Sequence, residues 1–264
     1  AGIGFKLSVA PFHMWTPDVY QGAPTPVTGF LATVSKGAVF VALSRFYIDG
    51  ALYQYSGLNT ALMVLAITSM LVGNWLALRQ ENIKRLLAYS SIAHFGYLLV
   101  VLIALTHLDA GLISQSITFY LTAYILTTLA AFAVVSTVAG EDPAKQDISA
   151  FEGLFWHRPL EASALNVAML SLAGIPLTAG FMAKFFVITV GIQSGLWVLL
   201  AVLVVGSAVG IYYYLRVIFA MSKSTDGDGE SANLLENILA LALLAAILVL
   251  GSWPQPFVAY AGGL

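Results

Sequence analysis

Apolar and polar positions in this chain do not alternate at short range. They segregate into long Leu/Ala/Val-rich runs divided by short polar or charged intervals. A helix needs about 20 apolar residues to cross the hydrocarbon core of a bilayer. Runs of that kind place spans at roughly 26–45, 58–78, 86–106, 112–139, 159–191, 195–221 and 233–252, after a partial span at 1–20. A transmembrane β-barrel needs segments of about ten residues that alternate in polarity, and the continuous runs exclude one. The pattern predicts an all-α, polytopic transmembrane helix bundle.

Two of the predicted spans are interrupted. A straight helix over 159–191, rising about 1.5 Å per residue, would overreach the hydrocarbon thickness. Its middle reads LAGIPLTAGF, with Gly174, Pro176 and Gly180 close together. Proline removes a backbone donor and glycine lowers helix propensity, so the helix is expected to break there. The first segment has a comparable pattern, with Pro11 and Pro17 following Lys6. Irregular backbone survives in a bilayer only where protein or water satisfies its polar groups. Two breaks in separate parts of one chain suggest an internal pathway and a structural repeat. A proline kink used only for packing is the alternative.

Composition sharpens this picture. Of 264 residues, 59% are hydrophobic and 9% charged, with a mean hydropathy of +0.89, whereas soluble domains carry about a quarter charged residues. So few charges cannot cover a soluble fold of this size. The net charge of −2 supplies no basic face for nucleic acid. The absence of cysteine excludes disulfides, thiolate metal sites, iron–sulfur ligation and cysteine nucleophiles. No signal peptide is visible, and Ala1 lies inside an apolar stretch. The N-terminal part of a longer protein is therefore expected to be missing, leaving 1–264 as one membrane domain.

The charges also orient the bundle. Arg79, Lys84, Arg85, Lys145, Arg158, Arg216 and Lys223 fall at or beside the connections near 79–85, 140–158 and 222–232, on the same side as 21–25. The opposite side receives only Arg45. By the positive-inside rule the first side is cytoplasmic and the C-terminus lies on the other. The longest polar interval, Glu141 to Pro159, carries Ile148, Phe151, Leu154 and Phe155 at helical spacing. It is expected to form a short interfacial amphipathic helix.

Three lysines remain: Lys6, Lys36 and Lys184. Each costs roughly 2.5–3.5 kcal/mol at bilayer depth, about 8–10 kcal/mol together. Lys36 is about ten residues from either end of its span, too far to snorkel. All 13 Asp and Glu residues fall in or near connections, so these lysines should face one another or water inside the bundle. Desolvation and mutual repulsion both favour release of their protons, as a proton relay requires. His94 is the one histidine well inside a span; its near-neutral titration suits a shuttle, and a packed, hydrogen-bonded imidazole is the equal alternative. Ser8, Ser35, Ser90, Ser91, Thr118, Thr122, Tyr124 and Thr127 are the hydroxyls available to carry water between stations, though back-bonding to helix carbonyls explains many such groups. His13, His107 and His157 do not pair at metal-ligand spacing, and no phosphate-binding loop or nucleophile elbow is present.

FKLSVAPFHMWTPDVYQGAPTPVTGFLATVSKG (Phe5 to Gly37) resembles the signature of the antiporter-like membrane subunits of respiratory complex I. So do NIKRLLAYSSIAHFGYLL (Asn82 to Leu99), GLFWHRP with MLSLAGIPLTAGFMAKF (Gly153 to Phe185), and GSAVGIYYYLRV (Gly206 to Val217). The wording TPDVYQGAP, with Lys36, favours the N branch of that family, and Lys184 argues against the M branch, which has glutamate there. The resemblance implies a fourteen-helix fold of two inverted repeats, each with a discontinuous helix, of which this chain is the C-terminal part. It implies that Lys6, Lys36 and Lys184, with His94 less firmly, form a proton relay driven by quinone reduction elsewhere. NADH, FMN, iron–sulfur clusters and quinone would belong to other subunits, and the partners would be membrane subunits of the complex, lipid and protons. The location implied is the bacterial inner membrane. A glutamate that partners the first lysine in the family would lie upstream of Ala1. A subunit of a Mrp-type cation/proton antiporter, which shares the lysine axis, is the alternative reading.

Overall fold

The computed structural model describes residues 1–140, 142–224 and 233–261. Among the described residues the chain is helical without strands; a single bridge joins Asn82 to Asp147. In chain order the helices are α1 (Gly2–Leu7), α2 (Trp15–Gly22), α3 (Thr25–Asp49), α4 (Ser56–Ala77), α5 (Ile83–Ile103), α6 (Ala110–Ala139), α7 (Pro159–Ala173), α8 (Ala179–Gln193), α9 (Trp197–Ser222), α10 (Leu234–Ser252) and α11 (Gln255–Ala261). Six of them are long and apolar enough to cross a membrane. The predicted spans match them within a few residues.

The helices are not equivalent. The most apolar stretch of α5 is buried along its whole length, whereas most of the corresponding stretch of α10 faces outward. Leu235, Ile238, Leu241 and Val249 present the apolar outer surface of α10, as a lipid-facing helix should. The bundle closes around α5. Its closest neighbour is α4, where a side chain at Gly73 would meet the Ala93 amide at 2.7 Å and the Tyr89 carbonyl at 2.8 Å. Small residues let helix backbones approach in this way when lipid offers no hydrophobic drive for association.

Both predicted breaks are present. The first helix stops at Leu7, and Ser8 takes a left-handed conformation (φ 61°). The Ala10 amide of the irregular segment donates to Ser69 Oγ (2.9 Å) and its carbonyl accepts from Thr68 Oγ1 (3.2 Å), both on α4. The expected span over 159–191 is two half-helices, α7 and α8. Gly174, at φ 85°, ends α7 with its own and the Ile175 amide folded back onto the Leu170 carbonyl, a Schellman-like turn. The Gly180 amide in the first turn of α8 is held by Ser171 Oγ at 2.9 Å.

The interval 140–158 differs from expectation. It is not one amphipathic helix lying in the interface. Short 3₁₀ turns at Pro143–Gln146 and Ile148–Phe151 are followed by a single helical turn at Leu154–His157, and Glu141 lies outside the described residues. Gly153 (φ 77°) interrupts the helical run, and Ile148, Phe151 and Leu154 are buried in the bundle instead of facing lipid. The strap is pinned by the Ile148 amide on the Glu81 carbonyl (2.8 Å) and by Lys223 on Glu152 (2.6 Å). With Arg85 on Asp18 (2.6 Å) and Arg216 on the Leu78 and Gln80 carbonyls, these contacts put the basic connections on one face, as their charge predicted. Residues 225–232 of the connection 222–232 lie outside the described residues. The short α11 was not foreseen, because seven residues after Trp253-Pro254 carry no periodic signal of their own.

A side chain at Gly180 would run into the Ser171 backbone. Gly180→Ala is therefore expected to destabilise the folded protein by about 3 kcal/mol or more. Gly57→Ala, which meets nothing within 4 Å, should leave stability unchanged or slightly raised. Thermal unfolding in detergent checks both, and equal midpoints for the two variants would contradict the packing at the second break.

A buried lysine and histidine axis along the central helix

The polar residues of α5 recur on one side of it. Ser91, His94 and Tyr97 are three residues apart, so each lies about 4.5 Å further along the axis. Lys36, 1% exposed, reaches this side from α3 and donates to Ser91 Oγ at 2.8 Å. Its ammonium also lies 5.4 Å from the ring centroids of Tyr20 and Phe95, a cation–π distance. His94 comes next. Its Nδ1 is 2.8 Å from the Tyr120 hydroxyl on α6, and its Nε2 is 3.4 Å from the Tyr214 hydroxyl on α9. Tyr214 in turn bonds Ser90. Lys184, on α8, lies 5.5 Å from the centre of the Tyr97 ring and donates to the Ala173 carbonyl at 2.8 Å.

Local backbone places these groups. The turn before Lys36, Leu31–Ser35, is a π-helical insertion, which leaves carbonyls without their usual partners. The Tyr124 hydroxyl satisfies one of them, Ala32, at 3.2 Å. Lys184 is set by the second break: Ala173 is the last residue of α7, and its carbonyl belongs to the orphaned, partially negative end of that half-helix. Beside His94, a cavity of about 10 Å³ is enclosed by Tyr120, Tyr124, Thr127, Ser171 and Gly180. That is close to the least space one water needs.

Of the four residues predicted from sequence, the structure brings three together. His94 is buried on α5, and Lys36 and Lys184 are buried against that helix; Lys6 is not inside the bundle. It is exposed in the last turn of α1, because none of the described helices covers that face. Among the candidate hydroxyls, Ser90, Ser91, Tyr124 and Thr127 line the axis, whereas Thr118 and Thr122 bond back to carbonyls of their own helix. Sequence reasoning missed Tyr20, Tyr97, Tyr120 and Tyr214, and also Asn74, which bridges Tyr97 and Tyr213. A tyrosine within an apolar run is ambiguous, since its ring suits the bilayer equally well. Lys84, counted among the cations at or beside the connections, is 1% exposed. Among the described residues no carboxylate pairs with Lys36, Lys84 or Lys184, and no cluster of His, Asp and Glu is arranged to hold a metal.

Residues 1–210 match the family described as NADH:quinone oxidoreductase/Mrp antiporter, TM. The chain belongs to that family. Among relatives of this antiporter-family chain, NADH-quinone oxidoreductase subunit N of Methylococcus capsulatus (strain ATCC 33009 / NCIMB 11132 / Bath) is 50% identical over 98% of this chain and 52% of its own length. The chain thus spans about half the length of the curated relative it matches. A chain of respiratory complex I from Thermus thermophilus, solved with bound aureothin, superposes with a TM-score of 0.84 at 39% identity, over 98% of this chain and 56% of that one. A chain of the Mrp complex from Dietzia sp. DQ12-45-1b superposes with a TM-score of 0.82 at 21% identity, over 98% and 56%; at that identity it speaks for the fold alone. The antiporter-like, discontinuous-helix fold expected from sequence is the fold found.

The unequal distances on the two sides of His94 give a spectroscopic test. Tyr120→Phe is expected to move the ring-nitrogen signals of nitrogen-labelled His94 more than Tyr214→Phe does, because Nδ1 has the shorter hydrogen bond. Solid-state NMR in lipid reads this, and equal shifts in both variants would contradict the bonding described.

Proposed function

We propose that this chain belongs to a proton-translocating membrane subunit of a NADH:quinone oxidoreductase, of the N branch. The observation that carries the reading is the placement of Lys36, His94 and Lys184 a helical turn apart along the buried α5. They meet neutral oxygens and tyrosine hydroxyls there, not carboxylates. A lysine held against a hydroxyl or carbonyl retains its proton less firmly than one in an ion pair. A proton arriving at Lys36 passes to the imidazole through hydroxyls or water, and from the imidazole to Lys184, each station returning to neutral as the next is charged. A second proton arriving at Lys36 would repel the first and favour its onward transfer. Lys6, in the last turn of the other broken helix, supplies a further station on the exposed face.

The chain needs no redox chemistry for this role. NADH, FMN, iron–sulfur clusters and quinone are assigned to other subunits, and its partners are the other membrane subunits of the complex, the lipid and protons. In a bacterial inner membrane the connections 79–85, 140–158 and 222–232 face the cytoplasm, in keeping with their basic residues. A Mrp-type cation/proton antiporter subunit is the second reading, favoured by the shared fold and disfavoured by the 50% identity to a subunit N. Dependence of transport on sodium instead of NADH separates the two.

Lys36→Ala in the full-length subunit, within an assembled complex in native membranes, is expected to reduce NADH-driven proton uptake about tenfold or more, corresponding to ~1.4 kcal/mol or more. Quinone reduction is measured alongside. Unchanged turnover and unchanged proton uptake would remove Lys36 from the pathway.

A further inference from the structure

Lys84 stands at the second position of α5, where the positive end of the helix dipole disfavours a cation. It is 1% exposed, so solvent does not offset that position. Asp18, in the first turn of α2, is engaged by Arg85. The ammonium instead donates to the carbonyls of Gln21 (3.1 Å) and Ala23 (2.7 Å), at the C-terminus of α2, the second half of the first broken helix. Charge that is misplaced for its own helix is well placed for the other, since a helix C-terminus carries unpaired carbonyls and partial negative charge.

Two further carbonyls of that end have partners too. Val19 accepts from the Ala23 amide at 2.9 Å, and Tyr20 from Thr28 Oγ1 at 3.1 Å. Ala23 is followed at once by Pro24, the residue that caps α3, so Lys84 grips the corner from which α3 departs toward Lys36. One residue before Gln21, Tyr20 is fully buried with its ring 5.4 Å from the Lys36 ammonium. Helix α5 therefore meets this segment at two points, with Lys84 on the backbone of the α2–α3 corner and Ser91 on Lys36, further along α3.

We propose that Lys84 is a positioning residue: it caps the C-terminus of α2 and thereby sets where Lys36 stands against Ser91 and Tyr20. Its functional half rests on the reading of Lys36 as a relay station, and its structural half does not. Removal of a charge-assisted donor from two part-buried carbonyls is worth on the order of a tenfold effect.

The test uses the full-length subunit in the intact complex, with Lys84→Met, Lys84→Gln and Lys84→Arg, each also combined with Lys36→Ala. Hydrogen–deuterium exchange of the segment 15–25 and NADH-driven proton uptake are measured together. Lys84→Met is expected to speed exchange in that segment and lower proton uptake about tenfold. Lys84→Gln, which keeps a donor on a shorter arm, should show the same changes to a smaller degree and serves where the Met variant does not assemble. Lys84→Arg, whose guanidinium can reach both carbonyls, should restore both readouts, and in the Lys36→Ala background the Lys84 changes should cost no further uptake. Unchanged exchange in Lys84→Met and Lys84→Gln overturns the capping role whatever the activity does. Faster exchange with unchanged uptake, while Lys36→Ala abolishes uptake, overturns the link to Lys36. Unchanged uptake in Lys36→Ala itself overturns the relay reading instead, and the exchange data still decide the cap.

Discussion

Helix α5 has no side turned to lipid or to water, yet it carries a lysine, two serines, a histidine and a tyrosine among its buried residues. In such a place each polar group must find its partner inside the bundle or cost a few kcal/mol. Much of the rest of the structure can be understood as the supply of those partners. Tyr120 comes from α6, Tyr214 from α9, Asn74 from α4, and the ring of Tyr97 faces Lys184 from α8. Because the partners arrive from different helices, the same bonds that satisfy the polar stripe also fix the packing of the bundle around it. A polar network of this kind rigidifies when complete and is costly when incomplete.

The broken helices answer the same constraint from the other side. Interrupting a helix in a bilayer exposes backbone groups that lipid cannot satisfy. At the first break side chains of α4 take them; at the second, Ser171 and Lys184 do. The break thereby creates the carbonyl that holds Lys184, while the π-helical turn in α3 precedes Lys36 and is bonded by Tyr124. Backbone irregularity and buried charge occur at the same places because each supplies what the other lacks.

The spans, the two breaks and the basic face were readable from sequence because they depend on composition over a whole turn or more: a charge-free run, a Gly-Pro-Gly cluster, a bias of Lys and Arg. Lys36 and Lys184 stood out for the same reason, since a cation in an apolar run has no innocent explanation at that depth. What could not be read depends on which helices are neighbours. Tyr120 and Tyr214 are distant in sequence and meet only at His94. The burial of Lys84, which the sequence sets beside the connection 79–85, depends on α2 ending against it. The strap at 140–158 had the spacing of a helix, but Gly153 and the burial of Phe151 turn it into separate short turns.

The basic residues divide by chemistry. Arg85 and Arg158 take carboxylates, Asp18 and Glu161, near the basic face, and Arg216 takes the Leu78 and Gln80 carbonyls there; among the described lysines the surface Lys223 has an acid partner. The buried lysines take neutral oxygens: a serine hydroxyl for Lys36, helix-end carbonyls for Lys84 and Lys184. Arginine stays charged at any physiological pH and binds a carboxylate through a planar fork, which suits a permanent clamp. Lysine is a point charge whose proton is easily lost when it is buried, and a neutral partner gives that proton little electrostatic reason to stay. A carboxylate placed beside Lys36 would have made a buried ion pair, and such a pair is stable only while both members remain charged. The same preference that anchors the basic face with arginines would stop a relay if it were extended to the axis. Neutral oxygens around the buried lysines leave those groups free to titrate, as the relay proposed for the axis requires.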